Sequence, residues 1–273
     1  MSGGALARPY VSGRGLAQLR EQLSERDLAI IEQVAELRLM SARQIKAVHF
    51  PASEHVNELA AARACHRVLK RLARERLLTR LERRIGGVRA GSASFIYAPG
   101  PVGQRLVSLD GARRRCYEPT SRFVDHTLAT AQLVVDVTLS ARRGRLDVLD
   151  HQAEPRCWRA FFGPGGRCVL RPDAFVALGV GSYEYRWFIE VDRGSESIPV
   201  IVRKCRLYAS YYQTGQEQAK AGGSFPRVAW IVPDEQRAQR LRWAIAHDRQ
   251  LPARLFMVTT TERAVAVLSG GTP

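Results

Sequence analysis

The chain has 273 residues, 45% of them hydrophobic, with a net charge of +16 and a pI near 10.5. That length favours two domains, and the apolar content suffices for packed cores but includes no run near the ~18 residues of a membrane span. The five cysteines form no CxxC pair and are odd in number, which supports neither a disulfide framework nor a zinc site, and buried free thiols are the expectation.

The charge points to polyanionic partners, with double-stranded DNA the first expectation. An N-terminus without the apolar core of a signal peptide makes the cytoplasm the expected location. Residues 1–20 are Gly-rich and lack periodicity, and are read as a flexible arm. Ser24 then caps a predicted helix whose first turn holds Glu25 and Asp27, and whose apolar positions Leu28, Ile31, Val34, Ala35 and Leu37 follow helical spacing. Ser41 caps a short second helix, Ala42 to Val48, that stops before Phe50-Pro51. A third helix is expected from Val56 to Glu75. Its apolar stripe is Ala62, His66, Leu69 and Ala73, and its basic stripe is Arg63, Arg67, Lys70, Arg71 and Arg74.

Leu77 to Arg84 and Ser94 to Ala98 then form a hairpin about a glycine-containing turn, adding Arg80, Arg83 and Arg84. Residues 63–89 carry ten basic side chains against two acidic ones. Three helices followed by a basic hairpin is the order of a winged helix-turn-helix, whose third helix enters the major groove while the wing contacts phosphates or the minor groove. The eight cations of the helix and hairpin are the expected DNA contacts, in a domain over 21–118. The structural alternative is a solvated basic face that serves packing or dimerisation.

A helix from Gly103 to Leu109 and a linker from Arg113 to Pro119 lead to a second domain expected over 119–268, with a tail at 269–273. It opens with a helix from His126 to about Arg142. Strands follow at Leu146 to Leu149, Val169 to Leu178 and Tyr185 to Asp192, then a helix from Ser197 to Tyr212. A strand at Val228 to Val232, a helix at Glu235 to Ala246 and a strand at Leu255 to Thr259 complete it. The order αβββαβ with an additional αβ is that of a restriction-endonuclease-like core, so the fold class is α+β and α/β.

Several segments in this frame carry a resemblance. Leu23-Ser24-Glu25-Arg26-Asp27-Leu28-Ala29-Ile30, Met40-Ser41-Ala42-Arg43-Gln44-Ile45, Asp125-His126-Thr127-Leu128, Arg171-Pro172-Asp173-Ala174, Phe188 to Ser197, and Lys204 with Tyr208 together resemble the replication-relaxation family. The resemblance runs from about Leu23 to the last strand. It implies association with plasmids and integrative mobile elements and a role in DNA relaxation, replication or transfer, with replication or conjugation proteins as partners. The second half also resembles PD-(D/E)xK nucleases.

Asp173 follows Pro172 at a strand start, while Glu190 and Asp192, two apart, share one face of the next strand and are expected to meet Asp173 across the sheet. Carboxylates so grouped repel unless a cation neutralises them, and oxygen ligands with a phosphate substrate suit Mg2+ or Mn2+. Asp173 and Glu190 are the expected metal ligands, Asp192 an assisting acid, and Lys204 the group that stabilises the developing charge. The nuclease pattern puts its lysine two residues after the second acid, where this chain has Asp192. Lys204 on the following helix, one of four lysines against 38 arginines, takes that role instead.

Glu154 is a further candidate acid, and His126 either contacts phosphate, shuttles a proton, or caps its helix with Thr127. The structural alternative pairs Glu190 and Asp192 with Arg171, Arg186 or Arg193 and leaves Lys204 in solvent. Two other functions stay open. One is a non-catalytic replication or transcription regulator with a decayed nuclease domain; the other is a relaxase in which Tyr208, Tyr211 or Tyr212 attacks the phosphodiester. A homodimer on a palindromic site is a candidate assembly.

Overall fold

The computed structural model describes residues 11–81, 94–107, 121–163, 165–220 and 222–271. The chain divides into two compact units, Met1–Val124 and Asp125–Pro273, and its class is α+β.

In the first unit, α1 (Gly13–Gln22) is a helix where composition suggested an arm. The Ser12 hydroxyl accepts from the Gly15 amide at 3.1 Å, and this local cap starts a helix that two glycines would otherwise disfavour. α2 (Glu25–Leu37) follows, with Ser24 and Asp27 as a reciprocal capping box. β1 (Met40–Ser41) leads into α3 (Ala42–His49), which Ser41 and Gln44 cap in the same way. Asn57 caps α4 (Glu58–Arg74). β2 (Leu78–Leu81), β3 (Ile96–Pro99) and α5 (Pro101–Val107) complete the unit, and its antiparallel sheet has the order β1-β3-β2.

The succession from α2 through β1, α3, α4 and β2 to β3 is the order of a winged helix. A Cβ on Gly103 would lie 2.1 Å from the Leu77 carbonyl oxygen, so only glycine lets α5 come this close to the chain entering β2. The buried stripe of α4 is Ala61, Cys65, Leu69 and Leu72, displaced from the expected Ala62 and His66, which are exposed. Cys65 acts there as a small apolar residue, its thiol pushed up to about 11 by burial. The turn with Arg83 and Arg84, the linker from 113 to 119, and Cys116 lie outside the described residues.

The second unit is built on a five-stranded sheet. α6 (Ser121–Arg142) precedes β4 (Asp147–Ala153), a hairpin of β5 (Arg159–Gly163) and β6 (Gly166–Leu170), then β7 (Ala174–Val180) and β8 (Tyr183–Val191). α7 (Ile198–Gln213), α8 (Gln216–Lys220), β9 (Arg227–Val232), α9 (Glu235–His247), β10 (Phe256–Thr260) and α10 (Ala264–Leu268) follow. The sheet order is β10-β9-β8-β7-β4, with β4, β7 and β8 antiparallel and β9 and β10 parallel to β8. Val169 to Leu178 is two strands in two sheets, because Pro172 lacks a ladder donor and interrupts it.

Alternation along the strands sorts two apolar faces. Ala174, Val176, Trp187, Ile189, Ala229 and Ile231 pack against Leu133 and Val137 of α6 and Ala264 and Leu268 of α10. Phe175, Phe188, Val228 and Trp230 pack against Ile201, Cys205 and Tyr208 of α7 and Ala238, Leu241 and Ile245 of α9. Helices on both faces account for the near-continuous apolar runs of the central strands. The four described cysteines are free, and Cys65, Cys157 and Cys205 are buried. No helix among the described residues is long and apolar enough to cross a membrane.

Candidate active site and nucleic-acid interface

Asp173 sits immediately before β7. Its amide donates to the Ile189 carbonyl at 3.0 Å, and its Oδ2 accepts from the Val191 amide at 2.7 Å, which fixes the carboxylate against the end of β8. Glu190 follows Phe188 on the face that α7 covers and is 2% exposed. An unpaired carboxylate there would cost several kcal/mol. Two groups of α7, one turn apart, meet it: Lys204 Nζ donates to Oε2, and Tyr208 Oη donates to Oε1 at 2.6 Å. Lys204 is thus not left in solvent, although 30% of its side chain remains exposed.

From the opposite face, His126 Nε2 lies 3.1 Å from Asp173 Oδ1. His126 does not begin its helix: α6 starts at Ser121, so neither His126 nor Thr127 is a cap. It lies instead on the stripe His126, Thr130, Leu133, Val137 that faces the sheet, and this spacing was the available signal for its role. Its side chain is 38% exposed, so solvent reaches the cluster past His126 and Lys204.

The charges are coupled. Burial pushes the Glu190 carboxyl up to about 8; the Lys204 ammonium and Tyr208 hydroxyl oppose that rise, and neighbouring Asp173 adds to it. Lys204 also loses solvent, but Glu190 and Asp173 outweigh that loss and hold its ammonium above the ordinary value. The hydrogen bond with Asp173 raises His126 above its ordinary value. Burial, with Glu190 beside it, holds the Tyr208 phenol well above its usual range.

Asp192 does not join this group. Arg237, in the first turn of α9, donates from Nε to Asp192 Oδ2 at 2.7 Å, and the pair is buried. Arg237 escaped notice in the sequence, although its place four residues before Leu241 on the apolar stripe of α9 was a signal. Arg186 pairs with Glu184, Arg193 with Asp125, and Arg171 lies over the Trp158 ring, so none of the three arginines considered for Glu190 and Asp192 has that partner in the structure. Glu154 directly follows β4; its Oε1 lies 3.4 Å from Trp158 Nε1, and its charge contributes to the rise of His126.

Among the described residues no three His, Cys, Asp or Glu side chains come together as a cation cage. Asp173 and Glu190 still offer a hard, two-carboxylate donor set whose mutual repulsion a divalent cation would relieve, and magnesium takes one or two carboxylates with waters and phosphate as its remaining ligands. Each carboxylate oxygen carries one hydrogen bond from the protein and keeps further acceptor capacity.

In the first unit, Arg63, Arg67, Lys70 and Arg74 are exposed along α4. Arg71 differs: its Nη2 is 2.6 Å from Asp27 Oδ1, a carboxylate nearly out of solvent, so Arg71 ties α4 to the cap of α2 and is withdrawn from the basic face. Arg80 extends over the Phe95 ring at 4.6 Å. A groove of about 740 Å³ between α4 and the hairpin strands is lined by His66, Lys70, Arg76, Arg80, Phe95 and Tyr97.

Residues 31–228 match the replication-relaxation family. The chain belongs to that family. No curated protein and no solved structure matches it significantly. The matched span of this replication-relaxation protein runs from α2 into β9 and holds His126, Asp173, Glu190, Lys204 and Tyr208, while Arg237, the partner of Asp192, falls beyond it. Membership links the chain to replication of plasmids and mobile elements.

Proposed function

We propose that this replication-relaxation protein binds double-stranded DNA through α4 and the β2–β3 hairpin, and nicks or relaxes it by phosphodiester hydrolysis in the second unit. One observation carries the reading. Asp173, Glu190 and Lys204, spread over two strands and a helix, converge on one buried, hydrogen-bonded cluster with an opening to solvent.

Asp173 and Glu190 are the residues that would hold Mg2+ or Mn2+, and the chemistry such a cation supplies when bound is polarisation of the phosphate and acidification of a water. In the hydrolysis a water oxygen forms the new P–O bond, and the ester oxygen departs with a proton. Lys204 supplies positive charge to the phosphate as that bond breaks, and Tyr208 holds Glu190 in place. Arg63, Arg67, Lys70, Arg74 and Arg80 set the protein on the duplex through phosphate contacts. Replication or conjugation proteins are the partners that family membership suggests.

The test is a supercoiled-plasmid assay with DNA from the parent mobile element, in Mg2+ or Mn2+ and in chelator. Cation-dependent nicking lost in Asp173→Ala and Lys204→Ala, with duplex binding retained, is the expected result. A second reading, a binding protein without hydrolysis, draws on the fact that every oxygen of Asp173 and Glu190 already has a protein donor. Salt-sensitive binding with no cleavage under any cation would decide for it. Of the three tyrosines considered as nucleophiles, Tyr208 and Tyr211 are buried and hydrogen-bonded to carboxylates, and half-buried Tyr212 packs edge-on against Phe225, which weighs against the tyrosine relaxase.

A further inference from the structure

α9 carries an aromatic surface that hydrolysis does not use. Trp243 is 64% exposed, on a helix whose other face, Ala238, Leu241 and Ile245, is in the core. His247, one turn later, stacks on the indole with ring centroids 4.2 Å apart and planes 25° apart, and its Nδ1 lies 2.8 Å from the Trp243 carbonyl oxygen. One turn earlier, Gln239 and Arg240 join Ile198, Trp243 and Ala244 around an open slot of about 470 Å³. Helical spacing sets His247 and this slot on opposite sides of Trp243, so one face of the indole is covered and the other is offered to the slot.

The rim is cationic. Arg240 is exposed, its guanidinium bonds to Gln236 of its own helix, and among the described residues it makes no ion pair. An aromatic ring presenting one free face beside a guanidinium that makes no ion pair matches a flat base joined to a phosphate, with stacking and charge supplied together. Bases within a duplex are already stacked on their neighbours and cannot enter such a slot, whereas those of an opened strand can. Ile198 and Lys204 both belong to α7, about 9 Å apart along the helix axis and about 120° around it, and α7 and α9 cover the same face of the sheet.

We propose that Trp243 and Arg240 form a stacking site for an unpaired nucleobase, by which the second unit holds single-stranded nucleic acid on the side of its sheet that α7 and α9 cover. The proposal rests on the nucleic-acid reading above but not on cleavage.

The full chain is titrated into a labelled oligothymidylate and into a duplex of the same length, with anisotropy as the readout. Trp243→Ala is expected to weaken oligothymidylate binding about tenfold and duplex binding less than about twofold, with Trp243→Phe retaining most of the wild-type affinity. Exposure of Trp243 makes the substitution safe for the fold, which circular dichroism checks. Equal oligothymidylate affinity in wild type and Trp243→Ala overturns the proposal even where duplex binding stands. Binding of oligothymidylate that depends on Trp243, without duplex binding, supports it and removes the duplex reading instead. A change of sedimentation from dimer to monomer in Trp243→Ala, with oligothymidylate affinity unaltered, assigns the slot to self-association and overturns it.

Discussion

Tyr208 Oη lies 2.6 Å from Glu190 Oε1 with both groups buried, so in this structure the phenol is a fixed donor to a carboxylate. Tyr208→Phe deletes that bond and little volume. It should cost about 1–3 kcal/mol in urea unfolding, the usual penalty for a buried acceptor that loses a donor. Plasmid nicking should persist within about tenfold of wild type, since Lys204 still holds Glu190. Nicking abolished in a folded Tyr208→Phe protein would return the tyrosine mechanism to contention.

Glu190 makes stability depend on pH in a definite direction. Its folded value, about 8, lies above the ordinary 4.5, so on raising the pH the unfolded chain releases this proton first. The contribution is full below about 4.5, falls between 4.5 and 8, and is lost above 8. Glu190→Gln keeps an acceptor for Tyr208 and Lys204 but removes the titration. The stability of the variant relative to wild type should therefore rise between pH 5 and pH 8.5, by on the order of a few kcal/mol. Urea midpoints at the two pH values measure it, and parallel curves for the two proteins would refute the assignment.

Neighbouring cations of α4 should separate cleanly. Arg71→Ala leaves the nearly buried Asp27 carboxylate without its guanidinium, and is expected to lower stability by about 1–3 kcal/mol while duplex affinity stays near wild type. Lys70→Ala and Arg67→Ala should leave stability unchanged, weaken duplex binding, and each reduce the salt slope of log K by about 1. Binding isotherms at several salt concentrations distinguish phosphate contacts from the structural arginine.

The sequence carried the fold well where one rule acted alone. The Ser24 and Ser41 caps, the apolar runs of β8 and β9 and the convergence of Glu190 and Lys204 all follow from local spacing and pairing. It misled where two rules competed. Glycines at 13 and 15 concealed a helix that the Ser12 hydroxyl starts. In α4 the expected stripe ran through Ala62 and His66, whereas the buried one runs through Ala61, Cys65, Leu69 and Leu72, because the size of an alanine does not tell which of two neighbours faces the core. Asp192 shares its parity with Glu190, yet it lies just past the strand end, where alternation no longer fixes direction and a buried arginine from α9 captures it.

That capture gives the last expectation. Arg237→Ala strands the Asp192 carboxylate in the interior, which should cost about 3–5 kcal/mol, because breaking a buried pair leaves an uncompensated charge. Replacing both partners in Asp192→Ala/Arg237→Ala removes the charge as well, so the double variant should lose less than the sum of the two single variants. Asp192→Asn retains a neutral acceptor for Arg237 and should support nicking, per folded molecule, within a few-fold of wild type. Asp173→Ala should not. If Asp192→Asn instead matched Asp173→Ala in the plasmid assay while remaining folded, Asp192 would have to leave Arg237 during the reaction, and the active cluster would then include the end of β8 beyond Val191.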